Sequence, residues 1–238
     1  MMLVRSHVRL TLRQKLPVFL AGCLIVSLSC RLHTRLTCEQ YLLSVVSDHY
    51  YLIYFVIPMA LLTYYSWMED DSEIAIVRFP SYYSYFCRKW LAAGAAACAV
   101  LGVQTGVALL AGTGLAGGNR WALSEGTAVS ELFSVLELYF KTPVSAVAAY
   151  TMYQLAATWF LAGLCIWLDR VAGSRGAVRI LMGLYALAAV WIKIPGLQGI
   201  PVTGLNHLLI LHHSLGLGRL AVTVATAGLL AMIILWTA

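Results

Sequence analysis

A chain of 238 residues that is 61% hydrophobic and 11% charged, with a mean hydropathy of +0.81, lies far from the roughly 25% charge of a soluble domain. Those proportions exclude a soluble enzyme or binding domain and predict an integral membrane protein. The net charge of +6 does not point to nucleic acid, because the cations stand singly at the ends of apolar runs, where loops and anionic headgroups use them.

At the N-terminus, LVRSHVRLTLRQKL sets Val4, Val8, Leu12 and Leu16 along one side of a helix and Arg5, Arg9 and Arg13 along the next. This predicts a basic amphipathic helix over residues 1–15 lying in the inner interface, with a frayed, cation-anchored tail as the plainer reading. Six apolar runs follow that can meet the ~20 residues of a spanning helix, near 16–30, 51–67, 91–115, 144–167, 180–194 and 220–237. The first and fifth are short, and span if Lys15, Arg31 and Arg179 snorkel. LAGC at Leu20 to Cys23 mimics a lipoprotein cleavage site, but the apolar stretch between Lys15 and Ala21 is shorter than the ~7–15 residues of a signal-peptide core, so 16–30 reads as a retained span.

The second run carries Tyr50, Tyr51 and Tyr54 at one end and Tyr64, Tyr65 and Trp67 at the other, as two interfacial belts, with Pro58 as a kink. After it comes a charged segment, 68–90, in which Glu69, Asp70, Asp71 and Glu73 cluster. Asp70 and Asp71, with Ser72 as N-cap, favour a short helix; Pro80 interrupts the chain, and Ser81 caps a second helix leading into the third run. Tyr82, Tyr85, Phe86 and Trp90 recur there at helical spacing. A solvated loop with interfacial aromatics is the plainer alternative.

In the third run Gly94, Cys98, Gly102 and Gly106 stand four apart, a ridge of small residues that admits another helix. Packing within one subunit is the favoured use of this ridge, ahead of a seam between subunits. Beyond the run, SELFSVLELYFKTP places Leu132, Phe133, Leu136, Tyr139 and Phe140 on one face and pairs Glu137 with Lys141, predicting an external interfacial helix. Between the last two runs, residues 195–218 are bounded by Gly and Pro and too short to cross, which predicts a re-entrant element. Its His207, His212 and His213 read as outer-interface polar residues rather than metal or haem ligands, since His207 and His212 are off the i,i+4 face and no carboxylate accompanies them.

Ten of the sixteen Lys and Arg fall on one side if the N-terminus is inside, which places both termini and residues 68–90 in the cytoplasm. Cys38 then lies outside and Cys87 inside. The six cysteines show no CxxC and predict neither a disulfide framework nor a thiolate metal site. With those span limits no Asp or Glu lies within a span, GTGLAGGNR lacks the Lys-Ser/Thr of a phosphate loop, and Ser174 in AGSRG reads as a turn. Any transport is expected to draw its energy from a partner.

VRFPSYYSYFCRKW, Val77 to Trp90, resembles the hydrophobic-Arg-Tyr-Gly-Ser-basic-basic-x-Trp-Trp-x-x-Lys pattern after span two in small six-span ABC-2 type permeases of bacterial exporters, of the peptide-export and bacteriocin-immunity kind. Val77, Arg78, Phe79, Ser81 and Lys89 match, Tyr85 and Phe86 replace the tryptophans, Pro80 stands for the glycine, and Tyr82 and Tyr83 for the basic pair. The resemblance implies an all-α permease, 1–238, with six transmembrane helices, an N-terminal interfacial helix and a re-entrant element before the last span. It further implies an exporter in the bacterial plasma membrane, moving an amphipathic peptide or lipid-like substrate. Glu73, Val77, Arg78, Phe79, Ser81, Tyr82 and Lys89 would contact a cytoplasmic ATPase dimer that binds ATP and Mg, this chain holding no cofactor. A second permease subunit, identical or different, would complete the assembly. The rivals are a six-span substrate-binding or immunity protein without ATPase contact, and an intramembrane His-dependent enzyme, which needs His and acidic residues clustered on neighbouring spans.

Overall fold

The N-terminal stretch and the first apolar run form one uninterrupted helix in the computed structural model, α1 (Met2–His33), with Pro17 inside it. The structure describes residues 2–33, 36–69, 79–121, 128–191, 208, 210–216, 218 and 220–237, all-helical with no strand among them. Along α1, Phe19, Cys23 and Ser27 recur at intervals of four and are buried, whereas Val18, Leu24, Ile25 and Leu32 are exposed, an apolar surface suited to lipid.

Where an outer loop was expected before residue 51, the chain makes a buried helix, α2 (Cys38–Ser47). Thr37 and Gln40 start it as a capping box: Gln40 N donates to Thr37 Oγ1, and Thr37 N to Gln40 Oε1, both at 3.4 Å. Tyr41, Leu43, Val45 and Val46 are buried, which is why this segment belongs to the core. The Tyr41 hydroxyl donates to Ser27 O of α1 at 3.1 Å, and Gln154 Nε2 donates to Val46 O at 2.7 Å, so α2 bridges the bundle. Asp48 ends α2 and accepts from Tyr50 N and Tyr51 N, starting α3 (His49–Tyr51).

A π-helical segment, Leu52–Val56, joins α3 to α4 (Ile57–Glu69). Pro58 explains it: the ring clashes with the carbonyl four residues back and offers it no N–H, so the preceding turn widens. The expected aromatic belts are corrected here in part. Tyr50 and Tyr54 are exposed, but Tyr51 is buried with its hydroxyl 3.0 Å from Cys23 Sγ, and buried Tyr64 donates to Thr158 O at 3.1 Å.

Ser81 caps α5 (Tyr82–Ala111), accepting from Ser84 N at 3.2 Å. The outer amphipathic piece is α6 (Ala128–Tyr139), which buries Phe133 and Leu136. It stops at Tyr139, short of Lys141, so no helix sets the Glu137–Lys141 pairing. Next, α7 (Pro143–Trp191) runs 49 residues, about 74 Å if straight and over twice a ~30 Å hydrocarbon core. It breaks at Gly173 (φ 67°, ψ 161°), a backbone state that a side chain disfavours. Beyond the break Ala177 and Leu181 pack in one cluster with Ala162, Cys165 and Leu168, so the second arm folds back along the first. The chain ends in α8 (Leu211–Gly216), with Leu211, Ser214 and Leu215 buried, and α9 (Leu220–Thr237).

Among the described residues, five helical stretches are long and apolar enough to cross a membrane: Lys15–Leu32, Cys38–Tyr64, Tyr82–Ala111, Pro143–Val190 and Leu220–Thr237. These limits correct one inference. Glu39 and Asp48 fall within the second stretch and Asp169 within the fourth, so the spans are not free of carboxylates.

Candidate functional site

The aromatics and cations expected to face a partner gather where α5 begins. Phe79 is half-buried and meets the Tyr85 ring edge-on at 5.3 Å between centroids, with the Arg88 guanidinium 5.2 Å from its own ring centre. Tyr82 lies 5.9 Å from Tyr85 and carries Arg170, from the end of the first arm of α7, over its face at 3.8 Å. Such cation–π contacts contribute roughly 0.5–1 kcal/mol each at exposed sites, so these side chains form a braced surface at the start of α5. Pro80 and Ser81 are exposed beside it. Lys89, however, is 1% exposed, with its ammonium 5.7 Å from the Tyr85 ring centre, and so faces the interior rather than a docking partner. Glu73, Val77 and Arg78, with Asp70, Asp71 and Ser72, lie outside the described residues.

The small-residue ridge of α5 divides. A Cβ at Gly94 would come 2.9 Å from the Trp159 indole nitrogen, and one at Gly163 2.8 Å from that of Trp90. The two tryptophans also exchange hydrogen bonds, Trp90 Nε1 to Trp159 O at 2.8 Å and Trp159 Nε1 to Trp90 O at 2.9 Å. Each indole thus covers the other helix's glycine. The signal is readable as WLAAG at 90–94 and WFLAG at 159–163, one W-x-x-x-G on each helix. By contrast, Cys98 is exposed, and among the described residues nothing lies within 4 Å of a Cβ built at Gly102 or Gly106.

At the opposite end a cluster forms that sequence spacing could not reveal. His49 from α3 lies 6.4 Å from His212 and 6.1 Å from His213 of α8 between ring centroids, and Tyr150 places its hydroxyl 2.7 Å from His212 Nδ1. Burial, then the neighbouring His213 and His49, push the His212 pKa down to about 3, so its imidazole is neutral. Among the described residues no group of three His, Cys, Asp or Glu could hold a metal ion. His207 lies outside them.

Deeper in the bundle, Gln104 of α5 is 3% exposed, and both its amide atoms lack hydrogen-bond partners among the described residues, as do Ser27 Oγ, Gln154 Oε1 and Asp169 Oδ1. Buried polar atoms without partners are costly, so each is a point of polarity in an otherwise apolar interior.

No family model matches the chain, and neither a curated protein nor a solved structure does so.

Proposed function

We propose that the chain is the membrane-spanning permease subunit of an ABC-2 type exporter, moving an amphipathic peptide or lipid-like substrate with ATP hydrolysed by a separate ATPase dimer. The observation that carries the reading is the braced surface of Phe79, Tyr85 and Arg88 at the capped start of α5, directly after the charged segment, where an ATPase-facing helix would stand. In this reading Phe79, Ser81 and Tyr82 are the docking residues, joined by Glu73, Val77 and Arg78, while Lys89 holds the surface from below. The two arms of α7 serve as spans four and five, giving six, and residues 195–218 form the re-entrant element. The end carrying Lys15, Arg88, Arg170, Arg175 and Arg179 faces the cytoplasm, as do both termini. The uncovered Cys98, Gly102 and Gly106 give a second permease subunit a close-approach surface.

One observation favours the rival of a His-dependent intramembrane enzyme: His49, His212, His213 and Tyr150 converge. Against it, Asp48, the carboxylate next to His49, is used in capping α3, and His212 is held neutral by burial. The deciding experiment is energy supply. The purified chain should hydrolyse no ATP and carry no proton-coupled flux in liposomes, and should gain substrate-stimulated ATPase activity only with its partner. Robust uptake driven by a pH gradient alone would defeat the reading.

A further inference from the structure

Between α1, α4 and α5 lies a cavity of ≈ 70 Å³ lined by small side chains, Ala93, Ala96 and Ala97, by Phe19 and Met59, and by Lys15. In a membrane bundle small residues ordinarily let a neighbouring helix close in; here they leave space instead. Two hydroxyls on the lining are already engaged: Thr63 Oγ1 donates to Met59 O at 2.8 Å and the Tyr64 hydroxyl to Thr158 O at 3.1 Å. Among the described residues no carboxylate lines the cavity. An apolar space of this size stays dry and takes hydrocarbon rather than water, and the hydrocarbon beside a membrane helix is the acyl chain. The lining along α5 runs from Ala93 to Leu101, about 12 Å of axial rise against a ~30 Å hydrocarbon core, so the groove lies within one leaflet. Its charged member, Lys15, stands at the N-terminal limit of the first membrane-crossing stretch, Lys15–Leu32, where a headgroup phosphate sits.

We propose that this groove holds a segment of one acyl chain of an anionic phospholipid, with the lipid phosphate paired to the Lys15 ammonium. The site is independent of the exporter reading, since it is tested on the purified chain alone. Delipidated full-length protein is titrated with phosphatidylglycerol or phosphatidylcholine, and retained lipids are counted by native mass spectrometry. One phosphatidylglycerol should be retained at about 5-fold lower concentration than phosphatidylcholine, the preference expected of one lysine at the membrane surface. Lys15→Gln should erase that preference while leaving folding intact by circular dichroism, and Lys15→Arg should keep it. Ala97→Leu, which fills the groove, should weaken retention of both lipids. An unchanged preference in Lys15→Gln, equal retention of the two lipids by the native chain, or full retention in a folded Ala97→Leu would each overturn the proposal.

Discussion

Gly94 and Gly102 lie on the same helix, two glycines of one sequence ridge, yet the packing assigns them opposite responses to the same substitution. At Gly94 the new methyl meets the Trp159 indole nitrogen at 2.9 Å, closer than such contacts allow. The ring is not free to give way, because that nitrogen donates to Trp90 O at 2.9 Å and the two indoles lie 5.5 Å apart. Gly94→Ala therefore forces out the indole, losing a hydrogen bond of about 1 kcal/mol and part of an aromatic contact of about 0.5–1.5 kcal/mol. The net loss is about 2 kcal/mol after the ~0.5–1 kcal/mol gained from helix propensity is offset by overpacking. At Gly102 a Cβ meets nothing within 4 Å among the described residues, so Gly102→Ala should be neutral or stabilising by about 0.5–1 kcal/mol. Reversible unfolding in mixed micelles, followed by tryptophan fluorescence, reads both. Gly163→Ala should match Gly94→Ala, because its methyl meets Trp90 at 2.8 Å. Equal stability of Gly94→Ala and Gly102→Ala would refute the reciprocal tryptophan lock.

Three further outcomes are expected. His212 is neutral in the fold with its pKa lowered to about 3, whereas an unfolded His titrates near 6.5; its contribution is therefore fully present above about pH 6.5 and is lost as pH falls below it, by about 2 kcal/mol at pH 5, and His212→Gln should flatten that part of the profile of thermal stability against pH. An impermeant thiol reagent on intact cells should label Cys38 and not Cys87, both of which are half-buried; labelling of Cys87 without permeabilisation would reverse the orientation. Gly102→Leu should leave the single chain folded yet break a permease pair in crosslinking, and an intact pair would place the seam elsewhere.

Composition and apolar runs made the helical class legible, with stretches long and apolar enough to cross a membrane, because a bilayer demands long stretches without charge. Pro58 and Ser81 were legible too, since their effects are local: one widens a turn and the other caps a helix. The burial of α2 was not. CEQYLLSVVS is short and mixes polar residues with apolar ones, so it reads as loop; Ser44 and Ser47 donate to Tyr41 O and Leu43 O of their own helix, and Gln40 donates to Arg120 O, a partner that only the fold supplies. For the same reason Glu39 and Asp48 escaped the count of carboxylates within spans. Convergence of His49 with His212 joins residues far apart in the chain and has no local signal. The tryptophan lock did have one, in the paired W-x-x-x-G motifs, which a search of glycines spaced from other glycines passes over.

The claim that the start of α5 docks an ATPase is met most directly by Phe79→Ala, assayed by co-purification with the partner and by substrate-stimulated hydrolysis. Phe79 packs edge-on against Tyr85 without being buried, so the variant should insert and fold. An aromatic anchor in a small interface contributes about 2 kcal/mol or more, roughly a 30-fold loss of affinity. Leu138→Ala, an 82% exposed side chain at the opposite end, serves as control and should change nothing. The account predicts that Phe79→Ala loses the ATPase and uncouples its hydrolysis from substrate; a Phe79→Ala protein that retains the ATPase and substrate stimulation at native levels would contradict it.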